Sequence, residues 1–187
     1  MNEVIQLETK RLLLRQWQAD DYVSFAKISN DPHVMEYYPS ILSELESNAL
    51  AKRISDLISK QGWGMWAVAL KQNNQFIGFV GLHKPDYDLP INPCIEIGWR
   101  LAKNYWGNGY ATEAANAALK FAFEILHLSE VVSFASVNNK KSIAVMKKLN
   151  MHNTLQNFDH PNMELFDELR EHVLYKITKT QWKNNKH

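Results

Sequence analysis

Two glycines in Tyr105-Trp106-Gly107-Asn108-Gly109-Tyr110-Ala111-Thr112-Glu113-Ala114 are the residues whose type and spacing most directly imply chemistry. Without a Cβ, glycine lets the backbone bend sharply and present successive N–H groups outward. The residues after Gly109 have helical spacing. The first N–H groups of a helix have no internal acceptor, and its dipole places about half a positive charge there. Such a turn holds an anion, best a phosphate or pyrophosphate; the alternative is a tight turn that merely needs two glycines. Two other phosphate loops are excluded. No Gly-x-x-x-x-Gly-Lys-Ser/Thr occurs, and Thr112 stands where a dinucleotide fold needs its third glycine. The strand ahead of the turn is also not the first of the chain, as a Rossmann domain would require. With no His-Glu-x-x-His and no cysteine pair, no metal site is expected.

These residues need elements to position them. Residues 94–101 read as a strand broken by Gly98, leading through the turn at 102–109 into a helix from Tyr110 to about Leu126. Ala111, Ala114, Ala118 and Ala122 on that helix suggest close packing against a sheet. Residues 131–137 form the next strand, followed by a helix over 140–149 with Asn138 or Asn139 as N-cap and Asn150 at C′. Residues 171–178 read as a last strand, with a solvated, fraying tail behind it. In the first half, residues 11–15 read as a strand, and Asp20 or Asp21 caps a helix carrying Tyr22, Phe25 and Ile28. A second helix covers about 43–60. Runs 66–70 and 76–82 make a hairpin around 71–75. An exposed loop with Pro85, Pro90 and Pro93 carries Asp86 and Asp88, a hint of a cationic acceptor. Hairpins first and β-α-β-α-β later predict one α+β domain over 1–187, built on a mixed sheet.

Composition bounds the function classes. In 187 residues, 45% apolar and 11% aromatic content with a net charge of +1 argues for a packed core and against disorder. Residues 1–94 carry 9 basic and 11 acidic side chains, and residues 95–187 carry 12 and 9. That tilt is far from the basic footprint of a nucleic-acid protein. No apolar run approaches the ~20 residues of a membrane span. The start lacks a basic flank and apolar core, so no signal peptide is expected. A single cysteine, Cys94, points to a reducing, cytoplasmic compartment.

Cys94-Ile95-Glu96-Ile97-Gly98-Trp99-Arg100-Leu101, followed by the glycine turn, resembles the acetyl-CoA motif of the GNAT N-acetyltransferases. A second motif of that family is similar to Asn139-Lys140-Lys141-Ser142 through Met146, Leu149, Asn150 and Met151. Thr9-Lys10-Arg11-Leu12-Leu13-Leu14-Arg15 resembles the branch that contains the ribosomal-protein N-terminal acetyltransferases. Phe158-Asp159-His160-Pro161 and Arg170-Glu171-His172-Val173-Leu174-Tyr175 resemble one subgroup of it. The similarity covers roughly residues 7–180. It implies a mostly antiparallel twisted sheet, flanked by helices and split at the central strands near Gly98, with acetyl-CoA as co-substrate in the gap and no metal. Backbone amides of Gly107, Asn108, Gly109, Tyr110 and Ala111 would hold the pyrophosphate. The strand through Ile97, Gly98, Trp99 and Arg100 would pair with the pantetheine arm and aim an amide at the thioester oxygen. Asn139 and Ser142 would meet the coenzyme from the next helix. The implied partner is a small-molecule or peptide amine, with no nucleic acid or membrane; a homodimer is compatible.

Acetyl transfer needs a neutral amine, a polarised carbonyl and a thiolate that can leave. Glu96, on the same face of its strand as Gly98, is the candidate base; the alternative is a carboxylate paired with a basic neighbour. For the acid, Ser142 and Tyr175 are candidates. The alternatives are a first-turn cap for Ser142 and a half-buried aromatic for Tyr175. His83, Asp159, His160 and His172 could line an acceptor pocket, or serve as hydrogen-bonding structural residues. The chain departs from the family pattern at Asn104, at Asn150-Met151 and above all at Met146. Met146 stands where many members carry the tyrosine that protonates the leaving thiolate. That departure opens an alternative from another class, a silent CoA-binding sensor or scaffold.

Overall fold

Strands and helices alternate along the chain much as the hydrophobic spacing predicts, in a computed structural model that describes residues 3–163 and 167–185. The fold is mixed α+β, a mostly antiparallel sheet flanked by helices. The chain forms two compact units, Met1–Leu82 with Gly98–Ala118, and His83–Ile97 with Leu119–His187.

In the first unit, β1 (Leu7–Glu8), β2 (Leu12–Arg15), β3 (Met65–Leu70) and β4 (Phe76–His83, all but its last residue) follow one another as antiparallel neighbours. Their interior positions are almost all apolar and buried, as befits strands covered on both faces. Helix α1 (Ala19–Ser29) packs on α2 (Glu44–Gln61), and α2 on β3. Ser43 starts α2 with a capping box: its hydroxyl accepts from Glu46 N–H, and Glu46 Oε2 accepts from Ser43 N–H at 2.8 Å. The N-cap of α1 is Gln18, so Asp20 and Asp21 lie inside the first turn rather than before it. Asp21 is drawn inward because its carboxylate serves two donors, Gln18 N–H at 2.8 Å and the Arg15 guanidinium. The core between helices and sheet is aromatic, with Trp17 against Phe25 at 5.1 Å and Phe25 against Phe79 at 5.8 Å between ring centroids.

In the second unit, β5 (Glu96–Leu101) begins in parallel pairing with β6 (Glu130–Ser136), Glu96 opposite Val132. β9 (Glu171–Thr178) runs antiparallel to β6 along its whole length, and also pairs with β7 (His152–Asn153) and β8 (Phe158–Asp159). Helix α3 (Tyr110–Glu124) passes from the first unit into the second; α4 (Lys140–Lys148) packs on β6. Asn139 caps α4 by accepting from Ser142 N–H at 3.0 Å, and Asn150 takes the left-handed C′ conformation at φ 56°. After the short helix α5 (Asp167–Arg170), the tail is not a fraying end. It forms α6 (Lys179–Asn184), capped by Thr178, and buries Trp182 against Phe123 at 5.3 Å.

Candidate active site

The glycine turn of the first unit is built to stay open. A 3₁₀ turn at Lys103–Tyr105 leads into it, and the Trp106 indole N–H donates to Leu101 O at 2.8 Å. Gly107 and Gly109 both take left-handed backbone, φ 78° and 77°, a conformation costing about 1–2 kcal/mol for most residues with a Cβ. That is why the motif needs glycine twice. A Cβ at Gly107 would meet nothing within 4 Å, so the outer side of the turn has room for a ligand. Residues 107–109 are exposed, and Glu113 N–H is the first in α3 to bond back, to Gly109 O at 3.0 Å. The N–H groups of Tyr110, Ala111 and Thr112 therefore precede the helix ladder. These features fit a pyrophosphate.

A carboxylate in the first turn of α3 would oppose an anion, and the fold answers this. Glu113 accepts from Thr9 Oγ1 (2.6 Å), Arg11 N–H (2.9 Å) and Arg11 Nε (2.6 Å). Burial alone would raise the Glu113 pKa; these donors outweigh it and hold it below the ordinary value. Arg11 also stacks on Tyr110 at 4.4 Å, and its Nη2 lies 3.6 Å from where a Cβ on Gly109 would stand. The guanidinium thus flanks the glycine turn. The sequence reading placed Arg11 in a family motif and missed this role.

Gly98, Trp99 and Arg100 of β5 also lie in the first unit, and the second unit holds the catalytic and acceptor-side candidates. Glu96 is 8% exposed, with His83 Nε2 3.4 Å from its Oε2. Burial pushes its carboxyl up to about 8, so a proton can come and go there near neutral pH. Cys94 sits half-buried; burial first, then the charges of Glu96 and Glu130, push its thiol up to about 11, the opposite of an activated nucleophile. Ser142 is half-buried with its backbone N–H on the Asn139 cap, so both second-motif residues sit at the start of α4. Met146 is 1% exposed and works as core packing. Tyr175 is buried on β9 between Ser133 of β6 and Asn153 of β7.

His160 and His172 come together, ring centroids 4.8 Å apart, in a cluster with Phe134, Phe158 and Tyr87. Each is 6% exposed. Asn162 N–H donates to His160 Nδ1 at 3.2 Å, whereas His172 Nδ1 lies 3.0 Å from Arg170 O and must donate to it. His160 therefore carries its proton on Nε2 and is neutral, while His172 carries one on Nδ1. Burial, then the neighbouring His172, lowers His160 to about 4; burial lowers His172 as well, against the bond to Arg170 O. Asp159 turns outward to Arg170 at 3.2 Å. Among the described residues no group of three or more His, Cys, Asp or Glu could hold a metal ion, and no helix is long and apolar enough to cross a membrane.

These features correspond to one known family. The family model for an acetyltransferase (GNAT) domain matches residues 11–152, a stretch that draws on both units. The chain belongs to the GNAT acetyltransferases and is an acetyl-transferring enzyme. It is 28% identical over 180 residues to the uncharacterized N-acetyltransferase YnaD of Bacillus subtilis, covering 95% of this chain and 99% of that one. It is 32% identical over 166 residues to the FsC-acetyl coenzyme A-N(2)-transacetylase of Aspergillus fumigatus, covering 83% of this chain and 68% of that one. The crystal structure of a GNAT-family acetyltransferase from Bacillus anthracis shares the fold with a TM-score of 0.78 at 24% identity, covering 94% of this chain and 99% of that one.

Proposed function

We propose that the protein moves an acetyl group from acetyl-CoA to a primary amine by direct attack within a ternary complex, as a single cytoplasmic catalytic domain spanning 1–187. The observation that carries this reading is the glycine turn, with its paired left-handed glycines, its free helix N-terminus and Arg11 beside it. Amides of residues 107–111 hold the pyrophosphate, and Asn139 and Ser142 contact the coenzyme. The β5 segment Ile97-Gly98-Trp99-Arg100 holds the pantetheine arm by its backbone.

Glu96 takes a proton from the ammonium form of the acceptor, directly or through one water. The neutral amine attacks the thioester carbon, the C–S bond breaks with its electron pair going to the thiolate, and the nitrogen gives up its second proton, which balances the proton that the thiolate takes up. His83, 3.4 Å from Glu96, is placed to relay the first proton away. Ser142 or Tyr175 can protonate the thiolate. His83, Asp159, His160 and His172 are proposed to shape the acceptor side. A silent CoA-binding module is the second reading, favoured by the buried Met146 in the acid position.

Incubation with acetyl-CoA and a panel of primary amines, followed by mass spectrometry and thiol titration, tests the proposal. Equimolar acetylamide and free CoA are expected. CoA binding without product from any amine would support the silent module instead.

A further inference from the structure

Arg100 is a buried cation with no anion. It is 8% exposed, and its Nε and Nη1 are fully buried without a hydrogen-bond acceptor. No carboxylate pairs with it among the described residues. What surrounds it is aromatic: its Cζ lies 4.2 Å from the Tyr38 ring centroid, 5.5 Å from Phe79 and 5.8 Å from Phe25. The backbone at this point is closely packed, because a Cβ on Gly78 would collide with the Arg100 carbonyl. The π-faces compensate part of the lost hydration, yet they accept none of the N–H groups at the edge of the guanidinium. Both bidentate edges of a guanidinium, Nε–Nη2 and Nη1–Nη2, share Nη2, and here each pairs it with a buried donor that has no acceptor, so either edge can receive a planar oxyanion.

We propose that Arg100 is a specificity residue that binds the carboxylate of the amine acceptor, so that the substrate class is amino acids or short peptides carrying a carboxylate close to the amine. The proposal deepens the acetyltransferase reading and rests on it. Arg100 stands two residues from Gly98, on the same face of β5 and about 6.6 Å along it. A small molecule can therefore present a carboxylate to Arg100 and an amine near the Gly98 segment, where the thioester is proposed to lie. The other source of an oxyanion is the coenzyme's own phosphates, and the experiment separates the two.

The test compares α-, β- and γ-amino acids with their carboxamides as acceptors, for wild type, Arg100→Met and Arg100→Lys, with the acetyl-CoA Kd measured for each protein. Wild type is expected to prefer one carboxylate over its carboxamide by roughly 10- to 100-fold in kcat/KM, and Arg100→Met to bring that ratio to about one. Equal treatment of both by wild type would overturn the proposal. So would a loss of acetyl-CoA affinity in Arg100→Met matching its loss of activity, which would assign the guanidinium to the coenzyme. Independently of any variant, the Arg100 Nε–H NMR signal of wild type is followed as well. A shift with the amino acid and none with the carboxamide supports the site even if acetyl-CoA does not bind, in which case the acetyltransferase reading alone falls. No shift with either overturns the carboxylate site itself.

Discussion

Two arginines are buried in the first unit, and the fold treats them differently. Arg15 is paired: its Nη1 and Nη2 meet both oxygens of Asp21 at 2.6 and 2.9 Å and Nη1 also donates to Gln16 O, although its buried Nε, like that of Arg100, finds no acceptor. Arg100 is almost as deeply buried, and among the described residues its Nε and Nη1 find rings and no acceptor. Both charges lost their hydration on folding, yet only one recovered it from a partner of the chain's own. A buried pair that the chain completes is architecture. A buried charge left incomplete, in a family that binds a two-part substrate, is a place held for a ligand. The acidic side shows the same contrast in Asp21, whose carboxylate accepts from Arg15 and Gln18, and Glu96, buried with His83 at 3.4 Å and no other ion pair among the described residues.

The comparison can be broken at several points, from the largest effect downward. Glu96→Gln should lower kcat by about 10²- to 10⁴-fold while leaving acetyl-CoA affinity near wild type, as measured by steady-state kinetics and calorimetry. In wild type the rate should rise with pH up to about 8 as Glu96 loses its proton, and this limb should vanish in the variant. The stability consequence runs the other way. A carboxyl whose pKa is raised on folding destabilises the fold as pH climbs from its unfolded value toward about 8, so Glu96→Gln should be more stable than wild type at pH 8 and above. A variant that is inactive and also less stable there would mean that Glu96 is a structural group.

Asp21→Ala comes next. It strands the Arg15 charge and should cost about 3–5 kcal/mol of unfolding free energy in urea titration. Arg100→Met, which removes a charge that has no anionic partner among the described residues, should leave stability unchanged or raise it. Equal losses in both would erase the distinction between paired and open arginines. Gly109→Ala should cost about 1–2 kcal/mol in stability, through its left-handed φ, and should weaken acetyl-CoA binding in calorimetry. A pH-dependent effect belongs to the histidine pair. His160 is held neutral in the fold to about pH 4, whereas in the unfolded chain it titrates near 6.5. Stability should therefore fall as pH drops between those values, and His160→Gln should flatten that slope in thermal melts.

Much of this was legible in local sequence. The glycine turn, the cap of α4 at Asn139 (one of the two asparagines the sequence offered) and the left-handed Asn150 are each specified within a few residues, and each stands where spacing placed it. What escaped depends on contacts between distant residues. Glu113 is answered by Thr9 and Arg11, more than a hundred positions away. The tail becomes a helix because Trp182 finds Phe123. Asp21 moved inside α1 because Arg15 competes for it. Arg100 was legible only as backbone of a coenzyme motif; that its side chain is buried among Tyr38, Phe79 and Phe25 comes from elements with no periodic signal in common.

The central claim is that the glycine turn serves acetyl-CoA. Thermal unfolding with saturating acetyl-CoA, CoA, ATP and NAD, compared side by side, tests it most directly. Ligand at a hundred times its Kd adds about 2.7 kcal/mol, which at this size raises Tm by roughly 5–10 °C. That rise is expected with acetyl-CoA and CoA alone. No rise with either, or an equal rise with ATP or NAD, would contradict the account.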